Sequence, residues 1–275
     1  MAKENIEKVT GAEVVQRAKV SVYIITYNEV DKIEEALQSV DWADEVIVAD
    51  SHSTDGTTEI AEQYADKVVQ IDFEGFGKLR NDAISHTSCE WIFSLDTDER
   101  CTPEARDEIL RVVNDPDSAA AYFMPRQNLF MGRWIRYSGW YPNYRQPQLF
   151  RNGKMHYTED AVHEGFVVDG RIGHLKKPIW QKPFRDLAQT IAKMDRYSTL
   201  GARKLKEKGV TGSGMWNALI HGVWAFIRLY VIRLGFLDGW AGFMIALGYF
   251  EVTFYRYAKF TEAEQGWNER IPPRH

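Results

Sequence analysis

Two aspartates one residue apart, Asp96 and Asp98, follow a mostly apolar run over 91–95. A buried strand of a parallel sheet is nearly continuously apolar, and the ligands of such sheets bind just beyond the carboxyl ends of the strands. Carboxylates at that place suit a hard divalent cation, Mg²⁺ or Mn²⁺, whose coordination shell is completed by substrate phosphates. The pair therefore predicts a metal and phosphate site at the edge of a sheet.

Polar residues also follow the first two predicted strands. The strand over 20–25 is followed by three of them, Thr26, Asn28 and Glu29. Asp50 follows the strand over 45–49, in a loop where it has no obvious helix to cap. We therefore predict that a nucleotide lies across this edge of the sheet and that Asp50 accepts a hydrogen bond from its base. Asp55, in the same loop, is interpreted as a helix cap.

The first half of the chain alternates short apolar runs with segments of helical spacing. Strands are predicted over 20–25, 45–49, 67–71, 91–95 and 119–124. Helices are predicted over 31–40, 57–65, 76–86 and 103–113, the last with Thr102 as N-cap and Pro103 at its first position. This alternation predicts an α/β fold with a mainly parallel sheet flanked by helices.

The second half has a different composition. The segment 127–183 is irregular and rich in aromatic residues, and 184–208 has the spacing of a charged amphipathic helix. The net charge is −14 over 1–170 and +9 over 171–275. An acidic N-terminal part and a basic, aromatic-rich C-terminal part indicate two surfaces with different partners.

The segment 215–260 is rich in Trp, Phe, Leu and Ile. Its longest charge-free runs, 215–227 and 239–250, are shorter than the roughly 20 residues that cross a bilayer. Aromatic residues mixed with basic ones suit a membrane interface, so we predict a pair of interfacial helices attracted to anionic headgroups. The alternatives are a helical subdomain packed on the rest of the chain and an oligomer contact.

Two cysteines, Cys89 and Cys101, are too few for a disulfide framework. We interpret them as free thiols in a reducing compartment. Residues 1–19 are polar and charged, so no secretory signal is expected. Together these features predict a cytoplasmic protein.

Three segments together resemble glycosyltransferase family 2. They are Thr-Tyr-Asn-Glu over 26–29, Val-Ala-Asp-Ser-His-Ser-Thr-Asp-Gly-Thr over 48–57 and Leu-Asp-Thr-Asp-Glu over 95–99. The resemblance covers about the first 125 residues by motif order and spacing. It implies a GT-A fold, a nucleotide-diphospho-sugar donor and inversion at the anomeric carbon.

Carried onto this chain, the resemblance assigns donor-binding roles. Asp50 would bind the nucleobase beside the 26–29 loop, and Asp96 and Asp98 would hold the ribose and the metal–diphosphate. The resemblance adds three residues of the helix over 76–86, namely Lys78, Arg80 and Asn81. A solvated helix face is an equal alternative for Lys78.

Inversion by direct displacement requires one base that takes the proton of the acceptor hydroxyl. Val-His-Glu over 162–164 resembles the segment that supplies the acceptor-side acid in related bacterial enzymes, so we predict Glu164 as the base, with Asp160 as the second candidate. A surface carboxylate is the alternative for both. Members of the family often carry a further histidine that completes the metal shell; Gln181 stands there in this chain, which leaves the third ligand open.

An aromatic loop precedes the base segment and suits a sugar acceptor that carries phosphates or carboxylates. Its aromatic residues are Trp134, Tyr137, Trp140, Tyr141 and Tyr144, and its basic residues are Arg133, Arg136 and Arg145. A flap folded over the core is the alternative interpretation, and the two are compatible.

Segments over 193–198 and 233–240 resemble the lipopolysaccharide-core branch of the family. This resemblance implies transfer of a hexose, glucose from UDP-glucose, to a lipid-anchored inner-core glycan. The enzyme would bind peripherally to the inner face of the bacterial cytoplasmic membrane, and no nucleic-acid partner is expected. The alternatives are a related membrane-side transferase acting on polyprenyl phosphate, capsule or O-antigen intermediates, and a non-catalytic nucleotide-sugar-binding scaffold, which would not need Asp96 and Asp98.

The expected domain organisation follows from these assignments. A GT-A catalytic domain is predicted over 1–183, with a donor half over about 18–125 and an acceptor half over about 126–183. A helical, membrane-associating region is predicted over 184–275.

Overall fold

Apolar runs of the first half form the centre of a seven-stranded sheet. The structure is a computed structural model that describes residues 17–158, 165–211 and 214–267. Its strands are β1 (Val20–Thr26), β2 (Glu45–Asp50), β3 (Lys67–Gln70), β4 (Trp91–Asp96), β5 (Glu99–Arg100), β6 (Ala121–Phe123), β7 (Arg126–Phe130), β8 (Arg133–Trp134), β9 (Pro147–Arg151), β10 (Met155–Tyr157), β11 (Phe166–Val168), β12 (Ile172–His174) and β13 (Ile179–Gln181).

Seven helices accompany these strands in the described part of the chain. They are α1 (Val30–Gln38), α2 (Thr57–Tyr64), α3 (Phe76–Ser85), α4 (Pro103–Val113), α5 (Leu187–Glu207), α6 (Met215–Ile227) and α7 (Gly239–Gln265). Between α6 and α7 lie a π-helical turn (Arg228–Ile232) and a 3₁₀ turn (Gly235–Asp238). The Thr102 hydroxyl accepts a hydrogen bond from the Ala105 amide, which confirms the predicted start of α4.

The main sheet has the strand order β12-β6-β9-β4-β1-β2-β3. β4, β1, β2 and β3 are parallel, whereas β9 is antiparallel to both of its neighbours. The chain runs from β1 outward to β3 and then returns to the other side of β1 as β4, so strand order reverses between β1 and β4. This reversal creates the crevice in which open α/β sheets bind their ligands.

Both faces of the central strands are covered, which explains why those strands are apolar throughout. Val20, Val22 and Ile24 of β1 pack into a core shared with α1 and α4, and Tyr23 packs on the opposite face against α3 and the β10–β11 hairpin. The expected α/β fold with a mainly parallel sheet is confirmed. Cys89 and Cys101 are buried free thiols.

A second, four-stranded sheet lies beside the first, in the order β5-β13-β7-β8. In it, β13 pairs antiparallel with β5, so that Gln181 lies opposite Glu99. β13 also pairs in parallel with β7. This small sheet therefore brings residues from the acceptor half next to the end of β4.

The C-terminal helices pack on the 126–140 part of the chain. Phe130 and Ile135 share a core with Ala241 and Ile245 of α7. The buried Asp238 carboxylate accepts hydrogen bonds from the Arg136 amide at 3.1 Å and from the Tyr137 amide at 3.0 Å. The predicted helical region is present, and it is attached to the small sheet by both apolar and polar contacts.

Packing within the C-terminal region requires a glycine at one position. A Cβ at Gly242 would lie 1.8 Å from the Gly235 carbonyl oxygen, so any larger residue at this position of α7 would clash with the backbone of the 3₁₀ turn. Over the described residues, one helix, Met215–Ile232, is long and apolar enough by length and composition to cross a membrane, and 22% of it is buried.

Candidate active site

The carboxyl ends of β1, β2 and β4 meet at one edge of the sheet, as predicted. Thr26 pairs with Asp50 across β1 and β2, and Ile25 pairs with Asp96 across β1 and β4. We call this group of strand ends the catalytic edge. It lies at the reversal of strand order, where a nucleotide can span neighbouring strands.

The loops that follow β1 and β2 are hydrogen-bonded to each other. The Asn28 amide donates to the Ser53 hydroxyl at 2.8 Å, and the Asn28 side chain accepts from the Thr54 amide at 2.9 Å. Asn28 has a φ of 53°, a left-handed conformation in which asparagine is enriched. Asn28 therefore holds the two loops together.

Thr26 and Glu29 occupy the two ends of the first loop. The Glu29 amide donates to the Thr57 hydroxyl at 2.9 Å, and its carboxylate forms an ion pair with Lys32 at 2.6 Å. The Thr26 hydroxyl is buried and has no hydrogen-bond partner within the described ranges. It is thus an unsatisfied buried polar group at the catalytic edge, and its contact with a donor stays a prediction.

Asp50 closes the loop between β2 and α2. Its buried carboxylate accepts hydrogen bonds from the Ser53 amide at 3.1 Å, the Thr58 hydroxyl at 2.8 Å and the Gln70 side chain at 2.9 Å. Burial raises the pKa of Asp50, but these hydrogen bonds outweigh burial and the pKa lies below its ordinary value. Asp50 caps no helix, but its carboxylate is held by these side-chain and main-chain donors. Its contact with a nucleobase stays a prediction.

Asp55 acts as the cap that the sequence indicated. Its carboxylate accepts hydrogen bonds from the Val30 amide at 3.1 Å and the Thr57 amide at 3.1 Å. These amides stand at the beginnings of α1 and α2, where main-chain donors lack helical partners. Asp55 therefore joins the starts of both helices.

Asp96, at the end of β4, forms an ion pair with the buried Arg80 of α3. The Arg80 Nη2 lies 2.8 Å from the Asp96 carboxylate, and its Nη1 donates to the Ser94 hydroxyl at 3.2 Å. Burial raises the pKa of Asp96, but the positive charges of Arg80 and Arg126 lower it further than burial raises it. Asp96 is therefore held ionised.

Asp98 has the opposite electrostatic environment. Burial, followed by the negative charges of Glu99 and Asp96, raises the pKa of Asp98 to about 7. The Gln181 amide donates to its carboxylate at 3.2 Å. The negative charge on Asp98 is thus incompletely compensated at neutral pH.

Glu99 is a third carboxylate at the edge that we did not predict as a site residue. It is fully buried, forms an ion pair with Arg126 at 2.5 Å, and accepts from the Gln148 side chain at 2.9 Å and from the Asp96 amide at 3.1 Å. The sequence shows that an acid follows Asp98, but only the structure shows these partners. Glu99 fixes the backbone between the two aspartates.

The site fits a divalent cation. Carboxylate oxygens of Asp96, Asp98 and Glu99 lie within 4.8 Å of one another. The Oε1 atom of Gln181 is buried and unpartnered among the residues that the structure describes. Glu99 and Asp96 are each paired with an arginine, so Asp98 is the least compensated of the three carboxylates, and the Gln181 side chain lies beside it. Carboxylate and amide oxygens are the ligands that Mg²⁺ and Mn²⁺ prefer.

Of the three residues predicted on α3, Arg80 contacts the acidic cluster. Lys78 forms ion pairs along the helix with Glu74 at 3.2 Å and Asp82 at 2.9 Å. The Asn81 side chain bonds both the amide and the carbonyl of Tyr157, at 2.8 and 2.9 Å, and so attaches α3 to β10. Donor contacts by Lys78 and Asn81 stay predictions.

The predicted bases Glu164 and Asp160 lie outside the described residues, as does 159–164 as a whole. The residues on either side are hydrogen-bonded to each other. The Thr158 amide donates to the Gly165 carbonyl at 3.0 Å, and the Gly165 amide donates to the Thr158 hydroxyl at 2.9 Å. The role of Glu164 therefore stays a prediction.

The aromatic loop combines packed and exposed side chains. Trp140 packs against Phe130 and Phe184, with ring centroids 5.8 and 6.4 Å away, whereas Tyr141 and Tyr144 are exposed. One part of the loop is thus a flap over the small sheet, and another part is available to an acceptor.

Residues 21–173, more than half of the chain, match the family model described as Glycosyl transferase family 2. The chain belongs to glycosyl transferase family 2. It is therefore a nucleotide-sugar-dependent glycosyltransferase, and its mixed seven-stranded sheet flanked by helices is the GT-A arrangement that the sequence resemblance implied.

Relatives match over most of their length. An uncharacterized glycosyltransferase of Rickettsia bellii is 31% identical, covering 89% of this chain and 86% of the relative. The lipopolysaccharide core biosynthesis glycosyltransferase LpsC of Rhizobium meliloti is 27% identical, covering 85% and 88%. Among solved structures, S. aureus TarS 1-349 in complex with UDP is 16% identical, covering 90% of this chain and 92% of that one, with a TM-score of 0.48.

Proposed function

We propose that this family 2 enzyme transfers glucose from UDP-glucose to a lipid-anchored lipopolysaccharide inner-core glycan, with inversion at the anomeric carbon. The single observation that carries the proposal is the arrangement at the catalytic edge. There, Asp96 is paired with Arg80, and Asp98 is incompletely compensated beside Gln181. The similarity to LpsC supports the choice of acceptor class.

The donor would lie across the ends of β1, β2 and β4. In this proposal Asp50 accepts from the base, the 26–29 loop lies beside it, and Asp96 binds the ribose. A Mg²⁺ or Mn²⁺ ion held by Asp98 with the Gln181 oxygen would supply Lewis-acid stabilisation of the departing diphosphate. Arg80 keeps Asp96 ionised, so that Asp96 can accept hydrogen bonds from the donor.

The acceptor hydroxyl would attack from the side of the sugar opposite the diphosphate. Glu164, or Asp160 as the second candidate, would take its proton, as direct displacement requires. Both candidates lie in 159–164, between β10 and β11. Asn81 attaches β10, the strand that precedes 159–164, to α3, and Arg80 of α3 contacts Asp96. This link between β10 and the donor site supports the choice of a base from the segment that follows β10.

We also propose that the C-terminal helices bind the inner face of the bacterial cytoplasmic membrane. Trp216 and Trp240 are each 77% exposed, and Trp216, Ile220, Trp224 and Ile227 fall on one face of α6 at helical spacing. Soluble monomers rarely expose apolar side chains in such numbers without a partner. We call these exposed apolar residues of α6, of the turns after it and of the start of α7 the apolar belt; its members include Trp216, Ile220, Trp224, Ile232, Leu237 and Trp240.

The charge of this region favours an anionic lipid surface. Arg228 and Arg233 are both exposed within the apolar belt, and each basic residue near an anionic leaflet contributes about 1 kcal/mol to attachment. In this arrangement 1–183 would be the catalytic domain, with its donor and acceptor halves, and 184–275 the membrane-binding region.

Product analysis tests the proposed function. The purified chain, with Mg²⁺ or Mn²⁺, would be incubated with labelled UDP-glucose, UDP-galactose or UDP-GlcNAc and with either truncated lipopolysaccharide or polyprenyl phosphate. We expect transfer of glucose to the lipopolysaccharide, in β linkage, and loss of transfer in Asp98→Ala. Transfer to polyprenyl phosphate alone would replace the proposed acceptor. Absence of both transfer and donor hydrolysis in a folded protein would favour a binding scaffold.

A further inference from the structure

The 3₁₀ turn between α6 and α7 has exposed apolar side chains and a buried acid. Phe236 and Leu237 of this turn and Trp240 of α7 are exposed, Trp240 by 77%. Asp238, at the end of the same turn, is 2% exposed. A turn in water has the opposite distribution, because burying a carboxylate costs free energy unless its oxygens are hydrogen-bonded. The partners of Asp238 therefore indicate what this turn does.

Asp238 uses its carboxylate to hold the aromatic loop. Although it immediately precedes α7, its side chain makes no capping hydrogen bond to that helix. Its Oδ1 atom accepts instead from the Arg136 amide at 3.1 Å, and its Oδ2 atom accepts from the Tyr137 amide at 3.0 Å. The next residue of the loop, Ser138, donates its amide to the Arg233 carbonyl at 3.0 Å, on the other side of the turn. Consecutive residues of the aromatic loop are thus hydrogen-bonded to both sides of the turn.

The other end of the aromatic loop is attached to the catalytic edge through Arg126. The Arg126 amide donates to the Pro142 carbonyl at 2.9 Å, and its Nη1 atom donates to the Asn143 carbonyl at 3.3 Å. The Nε atom of the same guanidinium pairs with Glu99 of the acidic cluster at 2.5 Å. The loop therefore connects the acidic cluster with the turn that carries part of the apolar belt.

Between these two attachments the loop presents a cation on an aromatic surface. The Arg136 guanidinium lies 4.2 Å from the centroid of the Trp134 ring, and this ring packs edge-on against Tyr141, with centroids 5.4 Å apart. Arg136 and Tyr141 are exposed, and Arg136 has no ion pair within the part of the chain that the structure describes. A guanidinium stacked on an aromatic ring suits a phosphate or a carboxylate, so these side chains fit an anionic glycan.

We propose that Asp238 is a positioning residue for the acceptor, because it fixes the aromatic loop to the turn that enters the lipid interface. Arg136 and the neighbouring rings would then meet the glycan at a set height above the membrane. This inference rests on the proposed function, since it requires a lipid-anchored acceptor and attachment through the apolar belt. A glycan anchored in the membrane meets the loop only at that height, whereas a soluble glycan can diffuse to the loop in any position.

Kinetics with two forms of one acceptor test the role of Asp238. The acceptors would be truncated lipopolysaccharide in phosphatidylglycerol vesicles and the same glycan released from its acyl chains. Asp238→Asn keeps the shape of the side chain but leaves one accepting oxygen for two amides. We expect its kcat/KM to fall about tenfold on the vesicle-bound acceptor and less than about twofold on the released glycan, with the KM for UDP-glucose unchanged. The matched control Asp195→Asn, which alters an exposed acid of α5 paired with Lys259, should behave like the wild type.

Hydrogen exchange on the wild-type chain gives a second measurement that needs no substitution. Because the turn and the loop are hydrogen-bonded to each other, entry of the turn into phosphatidylglycerol vesicles should slow exchange of the amides of 136–138 by about threefold or more. In Asp238→Asn the amides of Arg136 and Tyr137 should exchange faster with and without vesicles, while those of β4 keep their protection.

The outcomes separate this inference from the proposed function. Equal fractional losses on the two acceptors, or no loss on either, overturn the role of Asp238 and leave the transferase intact. Loss of vesicle binding by Asp238→Asn also overturns it, as does exchange of the wild-type 136–138 amides that bound vesicles do not change. If the wild-type chain transfers glucose to neither acceptor, or does not bind the vesicles, the proposed function is wrong and this inference with it.

Discussion

The side-chain amide of Gln181 donates from Nε2 to both carboxylate oxygens of Asp98, at 3.2 and 3.3 Å. The two residues meet because β13 pairs with β5 and places Gln181 opposite Glu99. The Oε1 atom of Gln181 remains buried and unsatisfied over the described part of the chain. A glutamine therefore lies where the sequence resemblance led us to expect a histidine, and it offers oxygen instead of nitrogen to a cation.

Gln181→Leu should weaken the binding of Mg²⁺ and Mn²⁺ by about tenfold or more, the range found when groups that support a metal ligand are removed. The substitution deletes the unpartnered oxygen and the donor to Asp98 together. Affinity would be measured by titration calorimetry in the absence of nucleotide. Gln127→Leu is the control, since the Gln127 amide accepts from Trp180 on the adjacent strand and does not contact the carboxylates. Unchanged cation affinity in Gln181→Leu would show that Gln181 is not a ligand.

Metal affinity should depend on pH because a cation must displace the proton of Asp98. With the pKa of Asp98 at about 7 in the metal-free protein, this carboxylate is mostly protonated below pH 7 and mostly ionised above it. The affinity for Mg²⁺ should therefore fall by up to tenfold per pH unit below about pH 7 and level off above it. Calorimetry between pH 5.5 and 8.5 would measure the profile. A flat profile would show that Asp98 is already ionised at the lower pH.

Substitutions of Arg80 and Asp96 should have non-additive effects on the free energy of unfolding. Arg80→Met leaves the Asp96 carboxylate beside Glu99 without its nearest cation. Because the Asp96 side chain is 29% exposed, we expect a loss of about 2 kcal/mol, less than for a fully buried ion pair. We expect Asp96→Asn to recover a substantial part of that loss when combined with Arg80→Met, because the uncompensated charge is then removed. Urea denaturation of both single variants and the double variant gives the coupling free energy. Additive losses would mean that the pair does not interact energetically.

Attachment to membranes should depend on the apolar belt. Replacing both Trp216 and Trp240 by serine should weaken sedimentation with phosphatidylglycerol vesicles by more than tenfold, because each ring no longer buries apolar area in the interface. Raised salt should also weaken it, since Arg228 and Arg233 act through screened charge. Phe73→Ser, at an exposed ring outside the C-terminal helices, is the control. If the wild type, the double variant and Phe73→Ser bind the vesicles equally, the apolar belt does not attach the protein to membranes.

Several site residues could be predicted because their signal is local in the chain. Asp96 and Asp98 end an apolar run, and that run forms β4 because both of its faces are buried. Thr26, Asn28 and Asp50 follow strands of the same kind, so their arrival at one edge needs only that the strands be parallel. One contact of Asp50 could not be predicted in this way, because Gln70 of β3 lies 20 positions away along the chain.

The sequence by itself determined the alternation of strands and helices, the family and the acidic pair, since apolar periodicity and motif spacing are properties of neighbouring residues. Only the tertiary structure decided which distant side chains join that pair. Gln181 reaches Asp98 through the register of β13 on β5, and Glu99 is neutralised by Arg126. Such pairings arise from packing between elements, and no periodicity along the chain encodes them.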